Sequence, residues 1–122
     1  MFEIEITKNF SAAHQLKNYN GDCSRLHGHN WTVKVTARAE TLDNVGIACD
    51  FRKLKKSLDS VINSLDHSNL NDLPLFKKQN PTSELIAKFI YQEMSKIIND
   101  NNVSIAKVSV AESPGSSATY YE

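Results

Sequence analysis

The chain has 122 residues, with 14 Lys+Arg balancing 14 Asp+Glu, 40% hydrophobic residues and 23% charged ones. That length predicts a single domain over residues 1–122, large enough to bury a core without a disulfide scaffold. Zero net charge excludes broad electrostatic capture of nucleic acid or an anionic membrane, and no apolar run approaches the ~18 residues of a membrane span.

Phe2, Ile4 and Ile6 alternate with Glu3, Glu5 and Thr7, the period of a half-buried strand. The same parity runs on through Phe10, Ala12 and His14. The two glutamates exclude a signal-peptide core, so a soluble cytoplasmic chain is expected. A polar loop, Gln15 to Arg25, holds the turn formers Asn18, Asn20, Gly21 and Asp22. Trp31, Val33, Val35 and Ala37 then alternate with Thr32, Lys34, Thr36 and Arg38. This predicts a second strand, antiparallel to the first.

Asp50 has the character of a helix N-cap. Phe51, Leu54, Leu58, Val61, Ile62 and Leu65 come after it at helical spacing, giving a helix to about Leu65. Asn80-Pro81-Thr82 starts a second helix, with an apolar stripe of Leu85, Ile86, Phe89, Ile90, Met94, Ile97 and Ile98. Ala106, Val108 and Val110 alternate into a third strand. Ser113-Pro114-Gly115-Ser116 turns the chain, and Ser117 to Tyr121 returns as a fourth. The order ββααββ predicts an α+β fold, an antiparallel four-stranded sheet with two helices on one face. Its other face carries Glu3, Glu5, Thr7, Lys34, Thr36, Arg38, Lys107 and Ser109.

Three of the four histidines draw together in this reading. His27 and His29 lie two apart on an incipient strand and share a face. His14 ends the facing strand, where opposite Cβ atoms sit ~4.5–5.5 Å apart. Three imidazoles converging on a partly apolar surface suit Zn²⁺ with its fourth position open, as a catalytic zinc requires. A closed structural site with Cys23 as fourth ligand is the alternative. Cys23 lies in the polar loop near Arg25, an accessible place for a reactive thiol, whereas Cys49 follows the apolar Ile47-Ala48 and reads as a packing residue.

Asp66-His67 sets a carboxylate beside an imidazole at the end of the first helix, an arrangement for acid–base work or an ordinary surface pair. Glu112 continues the parity of Val108 and Val110, so a carboxylate ends an apolar strand face. It needs partners there unless it reaches solvent. Arg52, Lys53, Lys55 and Lys56 read as a solvated helix face, with a polyphosphate contact as the minor alternative.

Phe10-Ser11-Ala12-Ala13-His14 followed by Cys23-Ser24-Arg25-Leu26-His27-Gly28-His29 resembles the 6-pyruvoyltetrahydropterin synthase family. Leu65-Asp66-His67, Asn80-Pro81-Thr82-Ser83-Glu84 and Val110-Ala111-Glu112 carry the resemblance through nearly the whole chain. Three residues between the cysteine and His27 resemble the 6-carboxytetrahydropterin synthase branch rather than the 6-pyruvoyl branch with its longer spacing. The resemblance implies a tunnelling fold, in which subunits join their sheets into a barrel, with a hexamer of two trimers and composite sites. It implies zinc on His14, His27 and His29, Cys23 as the proton-abstracting thiolate, and Asp66 and His67 as the partner dyad. It also implies Glu112 as the anchor of a pterin ring, with Thr82 and Ser83 nearby. The implied substrate is 7,8-dihydroneopterin triphosphate, and the implied product feeds 7-deazaguanine (queuosine) synthesis. The alternatives are triphosphate elimination alone, or a non-catalytic zinc- and pterin-binding protein. Glu112-Ser113-Pro114-Gly115 departs from the family's usual glutamate-threonine pattern.

Overall fold

The computed structural model describes residues 1–122. The strands β1 (Phe2–His14) and β2 (His27–Ala39) form one unbroken antiparallel ladder, from Phe2 opposite Ala39 to His14 opposite His27. The helices α1 (Phe51–Ile62) and α2 (Ser83–Ile98) lie against one face of the sheet. Between them comes a short strand, β3 (Ser68–Asn69), and after them β4 (Val103–Ser113) and β5 (Ser116–Tyr120). The sheet order is β3-β1-β2-β4-β5.

The sheet therefore has five strands and is mixed, not four and antiparallel. The extra strand, β3, runs parallel to Ala12–Ala13 on the outer edge of β1. Its origin is a clamp rather than a hydrophobic pattern. The Asp66 carboxylate accepts from the Ser11 N–H at 2.9 Å, and the His67 N–H donates to the Ser11 carbonyl at 2.6 Å. Two residues are too few to show a period of two.

Each helix starts where its capping residue stands. The Asp50 carboxylate accepts from the Arg52 N–H at 2.8 Å, and the Thr82 hydroxyl from the Leu85 N–H at 3.2 Å. Helix α1 stops at Ile62 rather than near Leu65, although Leu65 stays buried in the turns beyond it. Leu54, Leu58, Ile86, Ile90 and Met94 pack with Phe10, Trp31, Val33, Val35, Val108 and Val110 in a continuous core. Phe51 and Ile97, both placed on apolar stripes by spacing, are exposed at the helix margins. Ala48 and Cys49 pack against the core, and burial pushes the Cys49 thiol up.

An irregularity in β4 shifts the strand's parity. Thr36 pairs with Lys107 but Ala37 pairs with Ile105, so Ala106 is an extra, unpaired residue. Val103 and Ile105 face the core before this bulge, Val108 and Val110 after it. Ala106, expected on the apolar face, is the half-buried bulge residue itself. A bulge shifts strand parity by one. Here the shift lets Val103 and Ile105 share the core face with Val108 and Val110 despite their opposite parity.

Candidate metal and acid–base site

His14 and His27 face each other across the last pair of the β1–β2 ladder, with His29 next on the same face. His14 is 2% exposed. Its Nδ1 lies 2.8 Å from the Pro81 carbonyl oxygen, and the Nδ1 of His27 lies 2.7 Å from the Arg25 carbonyl oxygen. A carbonyl can only accept, so each Nδ1 carries the proton and each Nε2 of a neutral ring presents a lone pair. Those two Nε2 atoms stand 3.1 Å apart. The Nε2 of His29 is buried and has no hydrogen-bond partner.

Ligand nitrogens of all three rings lie within 4.8 Å of one another. Two bare nitrogens at 3.1 Å repel unless a proton or a cation stands between them. A proton there would require a charged ring, which burial opposes at His14, or a ring whose Nδ1 faced its carbonyl unprotonated. Two ligands at 2.0–2.1 Å on a tetrahedral ion sit ~3.3 Å apart, which matches the observed separation. The residues fit a metal ion. Backbone carbonyls fix the orientation of two ligands, the usual support for metal-bound imidazoles.

Trp31 closes the site on its core side, with ring centroids 4.9 Å from His14 and 5.2 Å from His29. The Trp31 Nε1–H donates to the Ala12 carbonyl at 3.2 Å, and Phe10 stacks on the indole. Glu112 also approaches the imidazoles, its Oε2 3.7 Å from His14 Nε2 and 3.6 Å from His29 Nε2. The carboxylate ending the apolar strand face thus stands beside the imidazoles, outside hydrogen-bonding distance of either ring. It sits where the β4–β5 ladder is irregular between Ala111 and Ser113.

Burial, above all, pushes the His14 ring below its ordinary value of 6.5, against the pull of the Pro81 carbonyl. Burial does the same for His29, against the pull of Glu112. Both rings stay neutral near pH 7, the form a metal needs. Below pH 6.5 the unfolded chain takes up protons that folded His14 and His29 still refuse, so stability falls as pH drops through that region. The expected result is a thermal midpoint of the metal-free protein that is level above about pH 7.5 and declines toward about pH 5.5. Scanning calorimetry across that interval checks it, and a level midpoint throughout would refute the assignment.

Asp66 and His67 are joined, with Asp66 Oδ1 accepting from His67 Nδ1 at 2.9 Å. Hydrogen bonding from the Ser11 N–H, and then from His67, holds the Asp66 carboxyl below the usual carboxylate range. The dyad does not close a helix. Its orientation comes from the clamp on Ser11 and from the left-handed backbone of His67, at φ 56°. The His67 ring is exposed and lines a cleft of about 380 Å³ with Ser11, Gly28, His29 and Asn30. Ser11 also donates its hydroxyl to the Asn30 side-chain carbonyl at 2.8 Å.

Cys23 lies half-buried in a single 3₁₀ turn, Asp22–Ser24, and stands outside the group of three imidazoles. Its carbonyl accepts from the Leu16 N–H at 2.7 Å. The chain reaches the imidazole group two residues later, through the Arg25 carbonyl. Ser83 and Glu112 line one cleft of about 210 Å³, beside Ser116 and Ser117. Thr82 is engaged as the cap of α2. Arg52 pairs with Asp50 on the surface, so the basic cluster of α1 is a solvated face. The groups that sequence reasoning missed are the Pro81 and Arg25 carbonyls and the Ser11 N–H. All are backbone atoms, for which no side-chain letter exists.

Residues 3–122 match the family model described as 6-pyruvoyl tetrahydropterin synthase. A putative 6-pyruvoyl tetrahydrobiopterin synthase of Caenorhabditis elegans is 34% identical over 96% of this chain and 92% of its own. A 6-carboxy-5,6,7,8-tetrahydropterin synthase of Bacillus subtilis is 35% identical, covering 98% and 84%. A dihydroneopterin monophosphate aldolase of Pyrococcus furiosus is 36% identical, covering 84% and 82%. Among solved structures, the 6-pyruvoyl tetrahydropterin synthase of Caenorhabditis elegans superposes with a TM-score of 0.87 at 32% identity, covering 99% of this chain and 95% of that one.

Proposed function

We propose, from the premise that the chain belongs to the 6-pyruvoyl tetrahydropterin synthase family, that it is a zinc-dependent carbon–carbon lyase. The reaction takes 7,8-dihydroneopterin triphosphate and water to 6-carboxy-5,6,7,8-tetrahydropterin, acetaldehyde and triphosphate. The observation that carries this reading is the set of three imidazoles with converging ligand nitrogens beside Glu112. The spacing of Cys23 before His27-Gly28-His29 favours this branch over elimination alone. Relatives carry both branch names, and a third activity besides, so identity by itself does not choose.

His14, His27 and His29 would hold the zinc. Bound there, it would act as a Lewis acid on the substrate's side-chain oxygens. Cys23 takes a proton from the side chain as its thiolate. His67, held at Nδ1 by Asp66, keeps Nε2 free to move a second proton. Glu112 accepts from a pterin ring N–H and its exocyclic amine, two donors side by side. Ser83 shares that cleft, and Thr82 fixes the helix start beside it. The carboxylated product would feed 7-deazaguanine (queuosine) synthesis in the cytoplasm.

Incubating the zinc-loaded protein with the triphosphate substrate and identifying products by mass spectrometry tests the reading. Acetaldehyde with the 6-carboxy product supports it. A 6-pyruvoyl product without acetaldehyde would place the chain in the elimination branch. Pterin and zinc binding without turnover would make it a binding protein.

Glu112→Gln is expected to weaken pterin binding by at least ~10-fold, since charge-assisted bonds are worth ~1.5–3 kcal/mol each. The amide keeps one acceptor but turns a donor toward the ligand's second donor. Calorimetric titration with 7,8-dihydroneopterin checks this, and parental affinity in the variant would remove Glu112 as anchor.

The sheet's edges support an assembly. β3 covers only Ala12 and Ala13, so the outer edge of β1 from Phe2 to Phe10 has no partner strand in the single chain. Pairing such edges between subunits hides them and closes a barrel. The proposed assembly is a homohexamer of two trimers, its inner wall the polar face of Glu3, Glu5, Lys34, Thr36 and Arg38. A fully active monomer in light scattering would refute it.

A further inference from the structure

We infer that the cleft between residues 15–18 and 76–80 is a subsite for an oligophosphate chain, with Lys17, Lys77 and Lys78 as its cations. This rests on the reading that the substrate is a pterin triphosphate. The cleft holds about 200 Å³, and Asn18, Asn71, Gln79 and Asn80 complete its polar lining.

The cleft is built rather than a chance gathering of surface lysines. The Asn80 side chain accepts from the Lys17 N–H at 2.8 Å and donates to the Lys17 carbonyl at 2.9 Å. Asn71 does the same for Gln15, accepting at 2.8 Å and donating at 3.0 Å. Two side-chain amides thus staple the segment after β1 to the segment before α2, and bring the three lysines to one opening. Asn18, at φ 62°, turns the chain at its rim, in a conformation that asparagine tolerates.

The charge balance points the same way. The chain is neutral as a whole, yet no carboxylate lines this cleft. None of its lysines has an ion-pair partner; the lysine and arginine pairs use Lys8, Arg38, Arg52 and Lys96. The clefts at His67 and at Glu112 contain no lysine or arginine. Unpaired ammonium groups are phosphate binders that act as mobile point charges.

Its position suits the tail of a ligand held at the imidazoles. Lys17 comes three residues after His14, so their backbones are at most ~11 Å apart. Asn80 precedes Pro81, whose carbonyl orients the His14 ring. The segments on both sides of the cleft thus run directly into the imidazole group.

The test uses the intact, metal-loaded protein with Lys17→Ala and the double variant Lys77→Ala/Lys78→Ala. The staples hold Lys17 by its backbone, so removing side chains leaves the cleft folded. Each variant is expected to raise KM for the triphosphate ester about tenfold, with kcat within about twofold and unphosphorylated 7,8-dihydroneopterin bound as before. Inorganic triphosphate should inhibit the parent competitively and the variants about tenfold less. Lys55→Ala/Lys56→Ala, which removes two exposed charges from α1, should change neither constant; a matching rise there would replace the subsite with general steering. Unchanged KM and unchanged inhibition in the cleft variants would overturn the subsite while leaving the lyase reading intact. Conversely, lysine-dependent binding of inorganic triphosphate by a protein that never turns over the ester would overturn the lyase reading and keep the subsite.

Discussion

Replacing His29 with alanine should strip the protein of its metal and lower turnover by at least ~10²–10³-fold. The magnitude reflects the several kcal/mol that a metal contributes to stabilising charge in the transition state, at about 1.36 kcal/mol per tenfold. Only two oriented imidazoles would remain, and two neutral nitrogens without a third hold zinc weakly. The fold should survive, because His29 is only half-buried while Trp31 and the β1–β2 ladder below it are untouched. Elemental analysis gives the metal content. The chain's one tryptophan supplies a second readout, its ring centroid 5.2 Å from that of His29. Adding zinc to the metal-free parent should change Trp31 fluorescence, and the same addition to the variant should not. Full metal content in His29→Ala would mean that the three imidazoles are not the ligand set.

Cys23→Ala should have the complementary outcome, a full complement of metal with turnover reduced ~10²–10⁴-fold, the usual worth of a positioned acid or base. Cys23 belongs to a 3₁₀ turn and is absent from the group whose ligand atoms converge. Its removal therefore costs no ligand. Cys23→Ser, with a hydroxyl far less able to act as a base, should behave the same way. Loss of metal together with activity would instead establish a closed site of three imidazoles and a thiolate. Metal retained with activity unchanged would move proton abstraction to another group. Together the His29 and Cys23 variants separate holding the ion from moving the proton.

The line between what was legible and what was not runs through particular residues. The alternation of Phe2 to His14 and of His27 to Ala37 determined two strands and the face each histidine occupies. Because the intervening loop is short and polar, it also determined their antiparallel pairing. That His14 lies across the hairpin from the His27–His29 pair was thus readable, while the register that sets it opposite His27 came from the ladder itself. The cap Asp50 and the helical stripes were readable for the same local reason, whereas α2 is capped by Thr82 and begins at Ser83, which leaves Pro81 ahead of the cap rather than in the first turn. The ends of those stripes were not: Phe51 and Ile97 are exposed because the apolar arc of each helix is wider than the face it lays on the sheet.

Tertiary structure decided the rest, and it did so through groups that no side-chain pattern encodes. Ala106 is an ordinary alanine in the sequence. Only the pairing of β4 with β2 makes it a bulge, and that bulge lets Val103 and Ile105 share the core face with Val108 and Val110 despite their opposite parity. The carbonyls of Pro81 and Arg25 set the tautomers of two histidines, one of them from 67 residues away. The Ser11 N–H, 55 residues from Asp66 in the chain, orients the Asp66–His67 dyad and creates β3. Side-chain type and spacing determined which groups are present and which face of a strand they take, because both are local properties of the backbone. Which lone pair points inward depends on where distant backbone atoms come to rest, and packing alone settles that.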